Sequence, residues 1–284
     1  MIAHVRLISV ILALSVLLTI CPTRLSAQFS WPRPIEEQCV RIEFLRPTLA
    51  QDDPYLDISG YTLSLSGRVK VGESTLLTAE IPYVSTTASF SYPALGISES
   101  ETKSALGNIY IGLETIQGKG PVFWEVGMRL PTLSEEKEDA AMLAFFGDVN
   151  RWEAYVHHLL ALQAALNYRN AYQSGIVLFF RTGPSIWIPT KSGANNDTEV
   201  FLDYGGGIGY ENETIRVGGG VSGRVIITEE EFLFNDKRAY HHAELGVNVR
   251  LAQFRPAVFI RFPIEKELKD AISNTLGFSL AFVF

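Results

Sequence analysis

Residues 276–284 read LGFSLAFVF, and the sequence stops on that phenylalanine. Leu276, Phe278, Leu280, Phe282 and Phe284 place an apolar side chain at every second position, while Gly277, Ser279 and Ala281 between them are small. Alternate residues of a β-strand share one face, so the pattern describes a strand with one strongly apolar side. A soluble domain ordinarily ends in a polar, frayed tail. A strand of this kind is expected only where something apolar covers the face and another strand pairs with the edge.

The same period of two recurs upstream. In YTLSLSGRVKV, residues 61–71, one face carries Tyr61, Leu63, Leu65, Gly67, Val69 and Val71, and the other Thr62, Ser64, Ser66, Arg68 and Lys70. After the short turn GES, LTAEIPYV (77–84) resumes with Leu77, Ala79, Ile81 and Tyr83 against Thr78, Glu80 and Pro82. Read this way, the chain holds strands near 38–48, 59–71, 75–90, 104–116, 120–132, 152–169, 174–189, 199–211, 214–228, 239–252, 255–263 and 273–284. Short connections (GES, QGK, NAYQ, ENE, AQF) alternate with long polar ones (AQDDPYLD, YPALGISESETK, 133–150, TKSGANNDTE, EEEFLFNDK, EKELKDAI). An even strand count with short turns at one end and long loops at the other is the plan of an outer-membrane barrel. The expectation is an all-β fold: a transmembrane antiparallel up-and-down β-barrel of about 12 strands, with both termini periplasmic. Lipid then covers the outer face of the last strand, which pairs with the first to close the barrel.

Charge gives an independent test, because an ionised side chain facing lipid near the midplane costs about 2–4 kcal/mol. Alternation places Arg41, Glu43, Arg68, Lys70, Glu80, Glu114, Glu125, Arg129, Arg169, Arg181, Asp203, Arg216, Arg224, Glu244, Arg250 and Arg261 on the inner face and no charge on the outer one. Tyr83, Trp124, Tyr168, Tyr204 and Tyr210 fall outside, as an aromatic girdle requires.

Residues 1–27 have the parts of a secretory signal: Arg6, the apolar run LISVILALSVLLTI and a small-residue cleavage site ending at Ala27. Cleavage before Cys21, as in a lipoprotein, is opposed by the bulky Ile20. The domain plan is therefore signal peptide 1–27, a short periplasmic segment 28–37 and the barrel 38–284. Removing Arg6 and Arg24 from 24 basic residues leaves 22 against 31 acidic ones, a net charge of −9. That balance argues against nucleic acid as a partner. Cys39 is left as a lone cysteine, so no disulfide framework or cysteine metal site can form within the chain.

The closing strand, with Phe278, Leu280, Phe282 and the terminal Phe284, resembles the C-terminal signature of bacterial outer-membrane barrels, which implies recognition by the barrel assembly machinery. More narrowly, LTAEIPYV, then LGNIYIGLE (106–114), then WEVGMRLPT (124–132) resembles the meta-pathway phenol-degradation family of outer-membrane transporter-like barrels. The match covers residues 60–135 best. Asn108 stands where that family usually has Asp, and Leu133 where it has Gly. The resemblance implies an aromatic or otherwise modestly hydrophobic solute.

No catalytic constellation emerges. His157–His158 and His241–His242 are adjacent pairs, and neighbours on a strand point to opposite faces, so each offers one ring inward. The residues expected to flank His158 and His241 on the outer face include no serine, and no metal site or cofactor is expected. The glycine runs YGGGIG and VGGGVSG lack the helix that a phosphate loop opens, and read as places where large neighbours lie over the backbone.

The candidate functional residues are the lumen charges Arg68, Glu80, Glu114, Glu125, Arg129, Arg181, Arg224, Glu244, Arg250 and Arg261, able to bias passage toward anions unless they pair. The loop 133–150 holds an apolar run, DAAMLAFFGD, with Leu143, Phe145 and Phe146, long enough for about two helical turns. It can constrict the mouth, lie on the bilayer or pack on other loops. The expected function is passive passage of small solutes by a non-enzymatic porin-like barrel in the outer membrane of a Gram-negative-type bacterium, in contact with lipid and lipopolysaccharide. The alternatives are a non-transporting barrel with a side-chain-filled lumen and, third, a lipid-modifying enzyme.

Overall fold

The structure, a computed structural model, describes residues 38–50, 55–92, 97–115, 121–191, 197–228 and 238–284. The expected signal peptide 1–27, the segment 28–37, the turn QGK and the loop EEEFLFNDK lie outside the described residues. The strands are β1 (Cys39–Leu49), β2 (Leu56–Lys70), β3 (Thr75–Tyr92), β4 (Ile97–Leu106), β5 (Ile109–Thr115), β6 (Val122–Leu130), β7 (Leu159–Ala171), β8 (Ile176–Pro189), β9 (Glu199–Glu211), β10 (Ile215–Ile226), β11 (Ala239–Val249), β12 (Phe254–Pro263) and β13 (Ile272–Val283).

Every pairing among the strands is antiparallel, and β13 pairs with β1 from Cys39↔Val283 upward, which closes the sheet on itself. β4 and β5 both pair with β3 and are two halves of one barrel strand, interrupted at Gly107–Asn108. The barrel therefore has twelve strands. The start of β1 and the end of β13 lie at the end of the short turns, and Phe284 N–H donates to the Gln38 carbonyl at 3.1 Å.

The alternation seen in the sequence becomes an inside and an outside. At the seam, Val40 faces Phe282, Ile42 faces Leu280 and Phe44 faces Phe278, all on the outer surface. Outward residues of other strands, such as Leu65, Ile111, Val126 and Phe180, are also exposed, forming the apolar band that lipid requires. Between them, Arg41, Glu43, Glu80, Glu125 and Arg224 are buried in the lumen.

Four details differ from the sequence reading. Arg46 sits on the outward parity of β1 and is exposed, so the outer face is not free of charge; it lies near the loop end, where such a residue costs only about 0–1 kcal/mol. Lys70 is exposed at the rim of the turn end. Arg255, which the turn AQF concealed, is buried on the inner face of β12. The seventh strand starts at Leu159 instead of residue 152, because Trp152 to His158 belong to a loop that turns into the barrel.

Glycine lets large side chains cross the wall. Tyr110 lies over Gly112 and Gly127, where a β-carbon would collide with its ring, and its hydroxyl donates to Glu125 at 2.9 Å. His241 lies over Gly223 in the same way and reaches Tyr204 two strands away. The glycine runs of β9 and β10 thus serve packing, with Gly207 beneath the Phe179 ring.

Candidate functional site

The segment from Pro131 to His158, joining β6 to β7, folds into the lumen. It begins with a short 3-10 turn (Glu135–Lys137) and continues as helix α1 (Glu138–Gly147) and a second 3-10 segment (Val149–Ala154). Alanine, leucine and methionine favour the helix, and Glu138 and Asp139 in its first turn complement the dipole. Its buried face, Ala140, Ala141, Leu143, Ala144 and Gly147, is small enough to lie close against the wall. Thr86 Oγ1 donates to the Ala140 carbonyl at 2.8 Å, and Thr275 Oγ1 to that of Gly147 at 2.9 Å. Leu143 packs over Gly60, while Phe145 stacks on Trp152 and meets Phe146 edge-on.

Asn108, at the break between β4 and β5, holds both limbs of the loop. Its Nδ2 donates to the carbonyls of Glu153 (2.8 Å) and Val156 (2.6 Å), and its Oδ1 accepts from Leu133 N–H at 3.0 Å. An aspartate could not make the two donations, so the departure from the resembled family has a local structural use.

Beyond α1 the chain places three charges at the centre of the barrel. Asp148 accepts from Arg261 Nη1 at 2.9 Å and from Arg151. Arg151 also reaches Glu43 on β1, Glu80 on β3 (3.2 Å) and Ser64 on β2 (3.3 Å). Glu153 accepts from Arg129 Nε (3.2 Å), Arg224 Nη1 (2.8 Å) and Gln163 Nε2 (2.7 Å). Arg129 in turn donates to Glu80 at 2.8 Å, and Arg224 grips Asp203 through Nε and Nη2.

On the other side, Trp152 and Val149 enter an apolar half-ring built from inward residues of five successive strands: Leu159, Ala161, Trp187, Phe201, Ile226 and Tyr240. The loop is therefore held by ion pairs to β1, β3, β6, β10 and β12, by aromatic packing against β7–β11, and by small apolar contacts of α1 with Val84 and Ala105.

Each of the ten lumen charges named from the sequence is placed inside the barrel in an ion pair. Arg68 pairs with Glu114, Arg181 with Glu125 (2.9 Å), Arg261 with Glu244 (2.7 Å) and Arg250 with Glu211 (2.7 Å); Glu80, Arg129 and Arg224 belong to the central network. Glu211 also accepts from Arg169 at 2.6 Å. A polar cavity of about 90 Å³ remains between the loop and the walls, bordered by Arg41, Glu43, Ser64, Glu125, Arg181 and Asp203 among others.

The histidines separate as the strand geometry requires. His242 faces inward, with Nε2 near Ser222 Oγ (2.8 Å) and Asn150 Nδ2 (3.1 Å), while its Nδ1 meets no hydrogen-bond partner among the described residues. A serine–histidine contact is thus present that the outward-facing neighbours gave no hint of, with no group to orient the base among the described residues. His241 faces outward between Glu265 and the Tyr204 hydroxyl.

His157 and His158 lie in the loop and not on a strand, so His158 is no outward strand residue; its Nε2 is 3.2 Å from Glu135, which also accepts from Lys191 Nζ. The hydrogen bond from Lys191, followed by that from His158, holds the Glu135 carboxyl below its ordinary range. No group of three or more metal-ligating side chains occurs among the described residues.

Missed from the sequence were the partners Asp148, Arg151 and Glu153 and the inner aromatic half-ring. Its signal was the failure of alternation near the loop ends, where SIWIP and RVII are apolar on both faces.

No protein-family model matches the chain, and neither does any curated relative. Among solved structures, the barrel is similar to the COG4313 outer membrane channel from Pseudomonas putida F1, with 10% identity over 91% of this chain and 100% of that one and a TM-score of 0.62. It is also similar to the translocator domain of the autotransporter NalP from Neisseria meningitidis, at 11% identity over 87% and 89% with a TM-score of 0.54. The β-domain of the Bordetella autotransporter BrkA matches at 10% identity over 88% and 100%, with a TM-score of 0.50. At such identities the likeness is one of fold: the chain is a β-barrel of the Gram-negative outer-membrane kind.

Proposed function

We propose that this barrel is a passive outer-membrane channel for small solutes whose resting lumen is closed by its own loop, residues 131–158, with the short-turn end toward the periplasm. The observation that carries the reading is that the segment filling the lumen is not part of the wall. It enters from one loop end and is tied by side chains, over a polar cavity that continues beneath it. No catalytic relay is assigned. Lipid and lipopolysaccharide surround the band of exposed apolar residues, and the closing strand bearing Phe278, Leu280 and Phe282 is the element offered to the assembly machinery.

Withdrawal of the loop removes Asp148, Arg151 and Glu153 together, one negative charge in net. Arg129 and Arg224 then keep donors facing the lumen, and anions pass the open state more readily than cations. The second reading, a barrel that transports nothing, is favoured by the buried cross-lumen ion pairs.

Planar-bilayer recordings separate the two. Replacing residues 138–153 by a short Gly-Ser link should turn a nearly silent barrel into one with steady, mildly anion-selective conductance. A correctly folded, shortened barrel that stays silent would leave the filled-barrel reading standing.

A further inference from the structure

Within the closing loop, Trp152 and Glu153 are consecutive residues that present an aromatic ring and a carboxylate to the same part of the wall. Trp152 is fully buried. Its ring meets Tyr240 of β11 edge-on, with centroids 5.0 Å apart and planes at 65°. Trp187 and Phe201, whose centroids are 4.5 Å apart, complete the recess. The Arg224 guanidinium lies 6.0 Å from the Trp152 ring centre and 5.5 Å from those of Trp187 and Phe201, the range in which a cation is attracted to a ring face. The same guanidinium gives Nη1 to Glu153, while Arg129 and Gln163 donate to the other carboxylate oxygen.

Every one of these receiving groups belongs to a barrel strand, and so stays in place when the loop moves. An aromatic recess with two guanidiniums and an amide at its edge has the chemistry that recognises an aromatic ring bearing a carboxylate.

We infer that Trp152–Glu153 is a tethered occupant of a binding site for small aromatic carboxylates, and that such a solute opens the channel by taking the place of the loop. The inference rests on the channel reading for its consequence in transport, but its test is binding. A barrel that binds as described yet never conducts would sink only the channel reading, and one that conducts on loop removal but shows no such binding would sink only this inference. The tether explains why the resting site is filled: two residues held at high effective concentration exclude a weak free ligand.

The test takes the full barrel in detergent micelles, with protein-free micelles as blank, and titrates three probes of similar size. 3-Phenylpropionate has ring and charge, 3-cyclohexylpropionate has charge without an aromatic ring, and 3-phenyl-1-propanol has the ring without charge. The Trp152→Ala/Glu153→Ala variant vacates the site. It should bind 3-phenylpropionate about tenfold or more tighter than wild type does and tighter than either analogue to a similar degree, the equivalent of about 1.4 kcal/mol. Adding Arg224→Ala should remove the preference.

In the unaltered chain, 3-phenylpropionate should hasten tryptic cleavage after Arg151 and the cyclohexyl analogue should not, which needs no variant to fold. A folded double variant that binds the three probes alike, binding indifferent to Arg224→Ala, or cleavage at Arg151 unmoved by 3-phenylpropionate would each overturn the inference. The recess would then be only the packing core of the loop.

Discussion

Two kinds of contact hold the closing loop, and they do so by different physics. Against β7–β11, Trp152 and Val149 are enclosed by Leu159, Trp187, Phe201, Ile226 and Tyr240, a contact that is short-ranged and indifferent to salt. The other grip is ionic: Arg151 meets Glu43 on β1 and Glu80 on β3, Glu153 meets Arg129 on β6 and Arg224 on β10, and Asp148 meets Arg261 on β12. Buried ion pairs of this kind add little net stability, because desolvation offsets their attraction, but losing one partner strands the other. Packing, at the aromatic recess and where Ala140, Ala141 and Ala144 meet Val84 and Ala105, therefore supplies most of the binding, and the charges fix where the loop lies. A loop released by a small perturbation should lose its ion pairs first and turn about the aromatic recess.

Trp152→Ala breaks the packed side. Truncating a buried tryptophan costs about 3–5 kcal/mol, and here most of that loss falls on loop closure, since the strands remain fully paired. Single-channel recordings should show frequent openings where wild type is nearly closed, and Trp152→Phe should lie between them. Unchanged closure in Trp152→Ala would mean that the charges alone hold the loop.

Arg151→Ala breaks the charged side and should matter less. Its side chain is 15% exposed, so water can reach part of the stranded cluster, and about 1.5–3 kcal/mol for hydrogen bonds to charged groups is the appropriate scale. Asp148 keeps Arg261 and Glu80 keeps Arg129, whereas Glu43 loses its bond to Arg151. Brief openings should increase, and Arg151→Lys should restore only part of the closure because Lys cannot fork between two carboxylates. In a double-mutant cycle with Trp152→Ala, additive effects on opening would confirm two independent grips, and strong coupling would show one.

The barrel was legible because lipid and lumen impose opposite demands on alternate residues, and the strands obey them for nearly their whole length. The loop was legible as a helix but not as a plug. DAAMLAFFGD carries helix-forming, apolar residues whether it faces lipid, other loops or a lumen. The start of β7 was misplaced for a related reason: WEAYVHHLLAL is mainly apolar, broken only by Glu153 and the two histidines, and a segment packed inside a barrel carries the same signature as a strand.

The identity of the lumen charges followed from parity, but their partners did not. Arg224 meets Glu153 across 71 positions and Arg261 meets Asp148 across 113, pairings set by curvature and loop path and not by anything local. Arg46 and Arg255 were lost at strand ends, where parity and turn boundaries blur.

The smallest effect expected lies outside the lumen, at the outer shoulder of the loop, where Glu135 gathers Lys191 and His158. Its carboxyl is held below the ordinary range by those two partners. A group depressed on folding contributes stability that is present above its unfolded value, near 4.5, and is lost as pH falls through the lower folded value. Acidification from neutral pH toward 3.5 should therefore loosen this shoulder only at the acid end of the range. Glu135 and Lys191 are more than half exposed and His158 about a third, so screening keeps the effect slight and high salt should erase it. Hydrogen exchange of the amides of residues 134–138, corrected for intrinsic rates, would show it as lost protection below about pH 4.5 in wild type and as a flat, already lower protection in Glu135→Gln. Both grips on the central segment should be unmoved over that step. Loss of protection at Trp152 in parallel with Glu135 would mean that the shoulder and the plug move as one body, and that the loop hinges at its ends instead of about its aromatic side.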